Sequence, residues 1–223
     1  MFLFGFGRVR RFFIFYSEFN KGICRENLGE YPKALNHLFL ALSLMPKSLK
    51  TYKAVARVNR KNKTFLNAID FYNKAIMKFP QDAELYAQKA DIHRKIKEYD
   101  NAISAYNMAI QYDYTNSLYY EHRAQIKYYL NDIQGAINDY NGAININPNN
   151  YKLFKQRAFY HFEKKNYESS INDFSTAISL NNKDAHSYFM LGVLKEIQGL
   201  IKEAEKDYTK AKELGIKNNP IAV

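Results

Sequence analysis

The sequence predicts an all-α protein built from stacked helical hairpins, because one residue pattern repeats every 34 positions. Glycine and proline are scarce, at 9 and 5 of 223 residues, which fits helices joined by short turns. A fixed period of this size is the sequence signature of stacked repeats. Small residues recur at three positions of the period: Gly22, Ala56, Ala90, Ala124, Ala158 and Gly192; Ala34, Ala68, Ala102, Ala136, Ser170 and Ala204; and Ala41, Ala75, Ala109, Ala143, Ala177 and Ala211.

Residues 117–150 show how one period is expected to fold. Ala124 and Tyr128 lie on an apolar stripe at helical spacing, and a second stripe follows a short break. Asp132, in the break, is a plausible cap for the second helix, and Pro148 is expected to stop that helix. The small residues are placed where two helix backbones approach closely, so a larger side chain there would overpack.

These residues resemble the tetratricopeptide repeat, a helix–turn–helix unit of 34 residues. The resemblance implies a right-handed α-solenoid of antiparallel helix hairpins, a superhelix that binds a partner in its concave groove. The first helix of each hairpin would form the concave wall. The match covers six consecutive units, namely 15–48, 49–82, 83–116, 117–150, 151–184 and 185–218.

The two ends of the chain lie outside the repeats. Residues 1–14 are apolar but contain three arginines, so they are too short and too charged to span a bilayer. Three interpretations stay open for them: a cap on the first repeat, an interfacial membrane anchor, or the remnant of a longer chain. Residues 219–223 form a short tail, and no extra helix is visible after the sixth repeat. The last face is therefore expected to be exposed, covered or used for self-association.

Positive charge is concentrated in the first two repeats. The net charge is +11, and residues 49–82 alone carry eight basic and two acidic side chains. An anionic partner would be steered toward such a region. On the tetratricopeptide resemblance, the groove is expected to be lined by Lys50, Lys53, Arg57, Arg60, Lys61, Gln88, Asp91, Arg94, His122 and Gln125.

The first helices of the later repeats offer different side chains to the same wall. The fourth and fifth carry Glu121, Tyr128, Tyr129, Lys152, Lys155, Gln156, Phe159 and Phe162. The sixth carries His186, Phe189, Met190, Val193 and Ile197, which predict an apolar end of the groove unless residues 214–223 bury them.

Two arginines are assigned a structural role. Arg123 and Arg157 are expected on the face that meets the second helix of their own repeat. Asp139 and Asp173 recur on that second helix. We therefore predict an ion pair within each of these two repeats.

The function predicted from sequence is that of a non-enzymatic protein-interaction scaffold, located in the cytoplasm, that binds a peptide or helix of a partner. An acidic segment near the second repeat is the expected ligand. No nucleophile elbow, phosphate loop or zinc motif occurs, so neither a cofactor nor a metal is expected. The alternative is a protein that binds RNA or another polyanion through the basic N-terminal half. It is less favoured, because most aromatic residues fall on core positions of the repeat.

Overall fold

The structure is a computed structural model that describes the backbone of residues 3–216 and the side chains of residues 9–216. Twelve α-helices and no β-strand lie within this range. They are α1 (Leu3–Asn27), α2 (Tyr31–Leu44), α3 (Leu49–Lys61), α4 (Phe65–Lys78), α5 (Ala83–Lys95), α6 (Tyr99–Tyr112), α7 (Ser117–Tyr129), α8 (Ile133–Ile146), α9 (Tyr151–Glu163), α10 (Tyr167–Leu180), α11 (Ala185–Ile197) and α12 (Ile201–Glu213).

Consecutive helices pair as six hairpins, each made of one odd-numbered and one even-numbered helix. Hairpins 1–3 form a compact unit that ends at Asp113, and hairpins 4–6 form a second unit that begins at Tyr114. Inside each unit, the second helix of one hairpin packs on the first helix of the next. The prediction of stacked helical hairpins is therefore confirmed within each unit.

Every turn inside a hairpin places one residue in the left-handed region of backbone space. These residues recur at the 34-residue period, with φ between 60° and 77°: Gly29, Lys63, Lys97, Asn131, Lys165 and Gly199. Glycine adopts this conformation without strain, whereas a lysine meets a clash between its Cβ and the backbone. The turn geometry is thus common to all six hairpins, although only two of the six use the residue best suited to it.

This strain gives the first testable prediction. Replacing Lys63, Lys97 or Lys165 by Gly should stabilise the protein by about 0.5–1 kcal/mol per site, because relief of the clash outweighs the greater freedom of glycine in the unfolded chain. The free energy of unfolding from urea titrations would measure the gain. Lys164→Gly, at an ordinary backbone conformation one residue earlier, should destabilise instead; a gain of equal size there would contradict the argument.

Side-chain caps begin several of the helices. Asp132 accepts a hydrogen bond from the Gly135 amide at 2.8 Å, which confirms the cap expected from the sequence. Asp82 and Asp184 cap α5 and α11 in the same way. Each cap satisfies a backbone amide that has no partner inside its own helix. These three caps therefore help to fix the residues at which α5, α8 and α11 begin.

The recurring small residues lie at the contacts between helices, as predicted. Ala143 is fully buried, together with its counterparts in the other hairpins. At Gly22 a Cβ atom would come within 2.7 Å of the Leu38 side chain, and at Gly192 within 2.7 Å of Tyr208. Leu38 in hairpin 1 and Tyr208 in hairpin 6 thus fill the space beside these glycines from the second helix.

Hairpin 6 corrects one expectation about the groove. Phe189, Met190 and Val193 are buried in the core of this hairpin, and Ile216 packs against the same cluster. The predicted apolar end of the groove is therefore wrong for these three residues, although Ile197 is exposed. The alternative, that residues 214–223 bury them, is correct as far as Ile216. Residues 217–223 lie outside the described part of the chain.

The first and last helices differ from the others. The helix α1 has 25 residues, because residues 3–14 continue the first helix of hairpin 1. Arg11 donates from Nε to the carbonyl of Leu44 at 2.8 Å, so α1 extends over the end of α2. At the other end, α12 buries only Ala204 and Ala211 in the core. Its exposed surface is charged, with Lys202, Glu205, Lys206, Lys210 and Glu213.

Candidate partner-binding surface

The basic residues of hairpin 2 form a cluster along α3 and beside it. We call this set the cationic cluster, and its members are Lys50, Lys53, Arg57, Arg60 and Lys61. Helical spacing of three and four residues brings most of them to one side of the helix. The five residues differ in the groups they contact, and these contacts determine which of the five charges are available to a ligand.

Arg57 and Lys61 share a single buried carboxylate. Arg57 donates from Nε and Nη2 to the two oxygens of Glu26, both at 2.7 Å, and Lys61 lies 2.9 Å from the same carboxylate. The Glu26 side chain on α1 is 2% exposed, whereas those of Arg57 and Lys61 are 40% and 42% exposed. Burial alone would raise the pKa of Glu26, but hydrogen bonds from the two cations outweigh it and hold this pKa below its usual value. This site therefore ties hairpin 1 to hairpin 2 and retains one excess positive charge.

Lys53 is held by the start of the next hairpin. Its Nζ lies 2.9 Å from Asp82 and 2.5 Å from Glu84, at the N-terminus of α5. Asp82 is also the cap of that helix, so the lysine reinforces the contact between hairpins 2 and 3. Two carboxylates already neutralise this cation, which makes it a poor ligand for a further anion.

Lys50 and Arg60 have no carboxylate partner among the described residues. The Lys50 ammonium lies 3.9 Å from the ring centre of Tyr16 and 4.7 Å from that of Phe19, on α1. Such contacts stabilise a cation without neutralising it. Arg60 is half-buried and makes no ion pair in this part of the chain. These two residues are the cations of the cluster that a partner could contact most readily.

The residues of hairpin 3 that were expected in the groove lie near this cluster. Burial raises the pKa of Tyr72 to about 12. The charges of Arg60 and Arg57 in hairpin 2, and of Glu84 and Asp91 in hairpin 3, also act on this hydroxyl. Arg94 contacts Asp91 at 3.2 Å, and Tyr106 donates to Asp91 at 2.6 Å. Gln88 is half-buried on the same helix, α5. Arg57, Arg60 and Asp91 thus all act on Tyr72, and Asp91 and Arg94 make their contacts within hairpin 3.

A second surface lies in the other unit, between α7 and α9. A cleft of about 540 Å³ opens there, which we call the aromatic cleft. Gln125, predicted from the sequence, lines it, whereas His122 is half-buried and is not among the lining residues. The other lining residues are Glu121, Tyr128, Tyr129, Lys152, Lys155, Gln156, Phe159 and Tyr160.

Aromatic rings form one half of this cleft. Tyr128 stacks on Tyr160 with 4.7 Å between ring centres, and its ring lies edge-on to Phe159 at 6.2 Å. Tyr160 also contacts Tyr140 at 5.4 Å below the cleft. Burial raises the pKa of Tyr160 to about 12 and raises that of Tyr140 as well. These hydroxyls therefore stay protonated at neutral pH and can both donate and accept hydrogen bonds.

The ion pairs predicted from the sequence are confirmed next to the cleft. Arg123 donates from Nε to Asp139 at 2.9 Å and from Nη2 at 2.5 Å. Arg157 holds Asp173 with contacts of 2.8 and 2.6 Å. Both carboxylates are almost fully buried, so the pairs hold the two helices of hairpins 4 and 5 together and are not part of an open site.

Some residues of these surfaces were not found by sequence reasoning. Glu26 is the main one: the equivalent positions of the later repeats are Arg60, Arg94, Tyr128, Phe162 and Glu196, so no residue type recurs at this position that could have signalled a carboxylate. Tyr160 and Glu163 were missed because Tyr160 is buried beneath the cleft and Glu163 is the last residue of α9.

Neither a metal centre nor a membrane span is found in the described residues. No three side chains of His, Cys, Asp or Glu come together there in a way that could hold a metal ion. No helix of that range combines the length and the hydropathy needed to cross a bilayer.

Comparison with known proteins identifies the repeat. The tetratricopeptide-repeat family model matches residues 83–116, 118–150 and 185–214. No curated protein matches the chain by sequence. These three segments include hairpins 3, 4 and 6, so the match supports the period that was read from the sequence.

Solved structures resemble the chain over most of its length. The C-terminal part of a tetratricopeptide-repeat protein from Cytophaga hutchinsonii has a TM-score of 0.82 at 16% identity, covering 92% of this chain and 84% of its own. The MamA protein has a TM-score of 0.70 at 21% identity, covering 80% and 98%. YrrB, described as a TPR protein with an unusual peptide-binding site, has a TM-score of 0.69 at 15% identity, covering 81% and 93%. These likenesses confirm the predicted fold class, an α-solenoid of antiparallel helix hairpins.

Proposed function

Because the chain is a tetratricopeptide-repeat protein, we propose that it is a non-enzymatic scaffold that binds a peptide or helix of a partner protein along its first helices. YrrB, which has the same fold, is described as having a peptide-binding site. The aromatic cleft supports the proposal, because it is open, is lined from two first helices and combines rings with polar groups. Such a combination is typical of peptide-recognition surfaces.

We further propose that hairpin 2 binds an acidic segment of the partner. The observation behind this proposal is an imbalance of charge, because Arg57 and Lys61 share the single carboxylate of Glu26 and Arg60 makes no ion pair within the described residues. Arg60 is the best candidate for direct contact, since a guanidinium can hold a carboxylate at two points and this one makes no ion pair between residues 9 and 216.

A charge reversal at Arg60 tests the proposal. We expect Arg60→Glu to weaken the binding of a fluorescent peptide of ten glutamates by about tenfold, since the change replaces an attractive charge with a repulsive one. Fluorescence anisotropy at two salt concentrations would measure the affinity. The matched control is Lys202→Glu on the exposed surface of α12, which alters net charge by the same amount. Equal losses in both variants would mean that bulk charge, and not hairpin 2, binds the peptide.

The same assay separates the proposal from the polyanion alternative. A single-stranded RNA of equal charge serves as the second probe. RNA binding that is tighter than peptide binding and persists at physiological salt would contradict the scaffold function, because nonspecific phosphate contacts weaken steeply as salt rises. Affinity capture with the whole chain, followed by mass spectrometry, would then identify the natural partner.

Self-association, a membrane role for residues 1–14 and a cytoplasmic location stay predictions. The charged surface of α12 bears on the first of these. Desolvating that surface in a homodimer would be unfavourable unless its charges were paired across the interface. The side chains of residues 1–8 lie outside the described part of the chain, whereas Phe12 and Phe13 of α1 are exposed.

A further inference from the structure

We propose that the aromatic cleft binds a basic side chain, arginine or lysine, of the partner segment. The inference rests on the proposed scaffold function and specifies the chemistry of one of its contacts. It differs from the acidic contact at hairpin 2, because it concerns a different surface in the second unit. Three features of the cleft support it: its rings, its carboxylates and a buried hydroxyl.

The rings offer faces to a cation. Tyr128, Phe159 and Tyr160 are packed against one another with centre-to-centre distances between 4.7 and 6.2 Å and interplanar angles from 26° to 70°. Tyr129, at 6.4 Å from Tyr128, extends the same group to the surface. Ring faces carry negative partial charge, so they attract an ammonium or guanidinium group. Rings set at different angles can surround such a group on more than one side.

The carboxylates near the rings have no cation of their own. Glu121 lines the cleft and Glu163 is exposed at the end of α9, and neither makes an ion pair within the described residues. Both place negative charge near the rings. Burial is the main cause of the raised pKa of Tyr140, Tyr160 and Tyr128, and the negative charge of Glu121 adds to it for Tyr140 and Tyr160, as that of Glu163 does for Tyr128.

The two lysines of the lining do not cancel this charge. Lys155 is already bound to Asp184, with Nζ 2.9 Å from its carboxylate. Lys152 is exposed at the first turn of α9, which is the end of that helix opposite to Phe159 and Tyr160. An acidic side chain would therefore be repelled from the ring half, whereas a basic side chain would be attracted to it.

The floor of the cleft contains an unsatisfied polar group. The hydroxyl of Tyr140 is fully buried and makes no hydrogen bond of standard geometry in the described part of the chain. Gln125 and Tyr160, which line the cleft, are its polar neighbours. A buried hydroxyl without a well-formed hydrogen bond is unfavourable. A ligand whose N–H group binds the amide oxygen of Gln125 would orient the amide nitrogen of this residue toward Tyr140 and would gain affinity. Guanidinium and ammonium groups supply such donors, and an aliphatic side chain does not.

A peptide selection tests the inference. A random hexapeptide library displayed on phage is selected against the full-length protein and, separately, against the Glu121→Gln and Glu163→Gln double variant. We expect the peptides lost in the variant to be enriched in arginine or lysine. The matched control is the Glu168→Gln and Glu205→Gln double variant, which changes the same charge on exposed positions of α10 and α12. It should retain those peptides.

A charge-neutral isostere then isolates the basic group. In the best of those peptides, replacing arginine by citrulline, or lysine by norleucine, should weaken binding to the wild-type protein by about tenfold and change binding to the cleft variant little. The inference is overturned if the lost peptides show no basic enrichment, or if the isostere binds as well as the parent peptide. It also fails if the two selections agree. If no peptide is enriched on any variant, the scaffold function itself fails.

Discussion

Replacing Asp139 by Ala should lower the free energy of unfolding by about 3 kcal/mol, one of the two largest losses that we expect from a single change. The Asp139 side chain is 5% exposed and is held by Arg123 and Lys127, whose side chains are 15% and 21% exposed. Removing the carboxylate leaves two cations in a poorly hydrated site between α7 and α8. Neither cation can regain full hydration without separating the two helices.

Urea denaturation of the whole chain, followed by circular dichroism, would measure this loss. Asn138→Ala is the control, because Asn138 is the exposed neighbour of Asp139 on the same helix. A change below about 1 kcal/mol for Asp139→Ala would show that the two cations reach solvent easily, as surface pairs do. The loss of stability for Asp139→Asn should lie between those for Asp139→Ala and Asn138→Ala, because this replacement keeps the shape of the side chain and removes its charge.

Replacing Arg57 by Glu should destabilise the protein by about 3 kcal/mol or more, because it removes one partner of a buried carboxylate and adds a second negative charge beside it. Glu26 would then depend on Lys61 alone. Arg60→Glu is the matched control one turn away, and it should cost less than about 1 kcal/mol, since Arg60 has no ion pair in the described chain. Comparable losses in the two variants would contradict the role given to Glu26.

The same site predicts a dependence on pH. The pKa of Glu26 in the folded protein is lowered from its model-compound value of 4.5. Its contribution to stability is therefore complete above about pH 4.5 and disappears as the pH falls through the lower, folded pKa. The difference in stability between the wild-type protein and Arg57→Glu should shrink over this acid range. A difference that stays constant down to the acid transition would assign the effect to packing and not to charge.

The repeating features could be predicted from the sequence, because local spacing determines them. The helices α3, α5, α7, α9 and α11 begin 34 residues apart and have 13 residues each, as the period of small residues requires. The pair Arg123–Asp139 was predictable for the same reason. Its partners lie on the facing stripes of a single hairpin, so a helix model of one period already brings them together.

Features that do not repeat could not be predicted in this way. Arg57 was expected to face a ligand, but it is bound by a carboxylate of hairpin 1. The pattern of one repeat contains no information about a partner that occurs once, such as Glu26. In hairpin 6, Phe189 is likewise buried in a cluster that includes Tyr208 and Ile216, and its counterparts in the preceding repeats are Lys155 and Glu121. The aromatic cleft needed the distance between two first helices, which only a three-dimensional structure supplies.

The ion pairs also bear on how the length of the array can change in evolution. In hairpins 4 and 5 the arginine and its aspartate are 16 residues apart within one period, so duplication or deletion of a whole period keeps every such charge compensated. The pair of Glu26 and Arg57 is different, because its members belong to different periods. Loss of the first period would leave Arg57 and Lys61 without their carboxylate, and insertion after it would separate the pair. Recombination is therefore expected to preserve the junction of the first two periods and to act on the later ones.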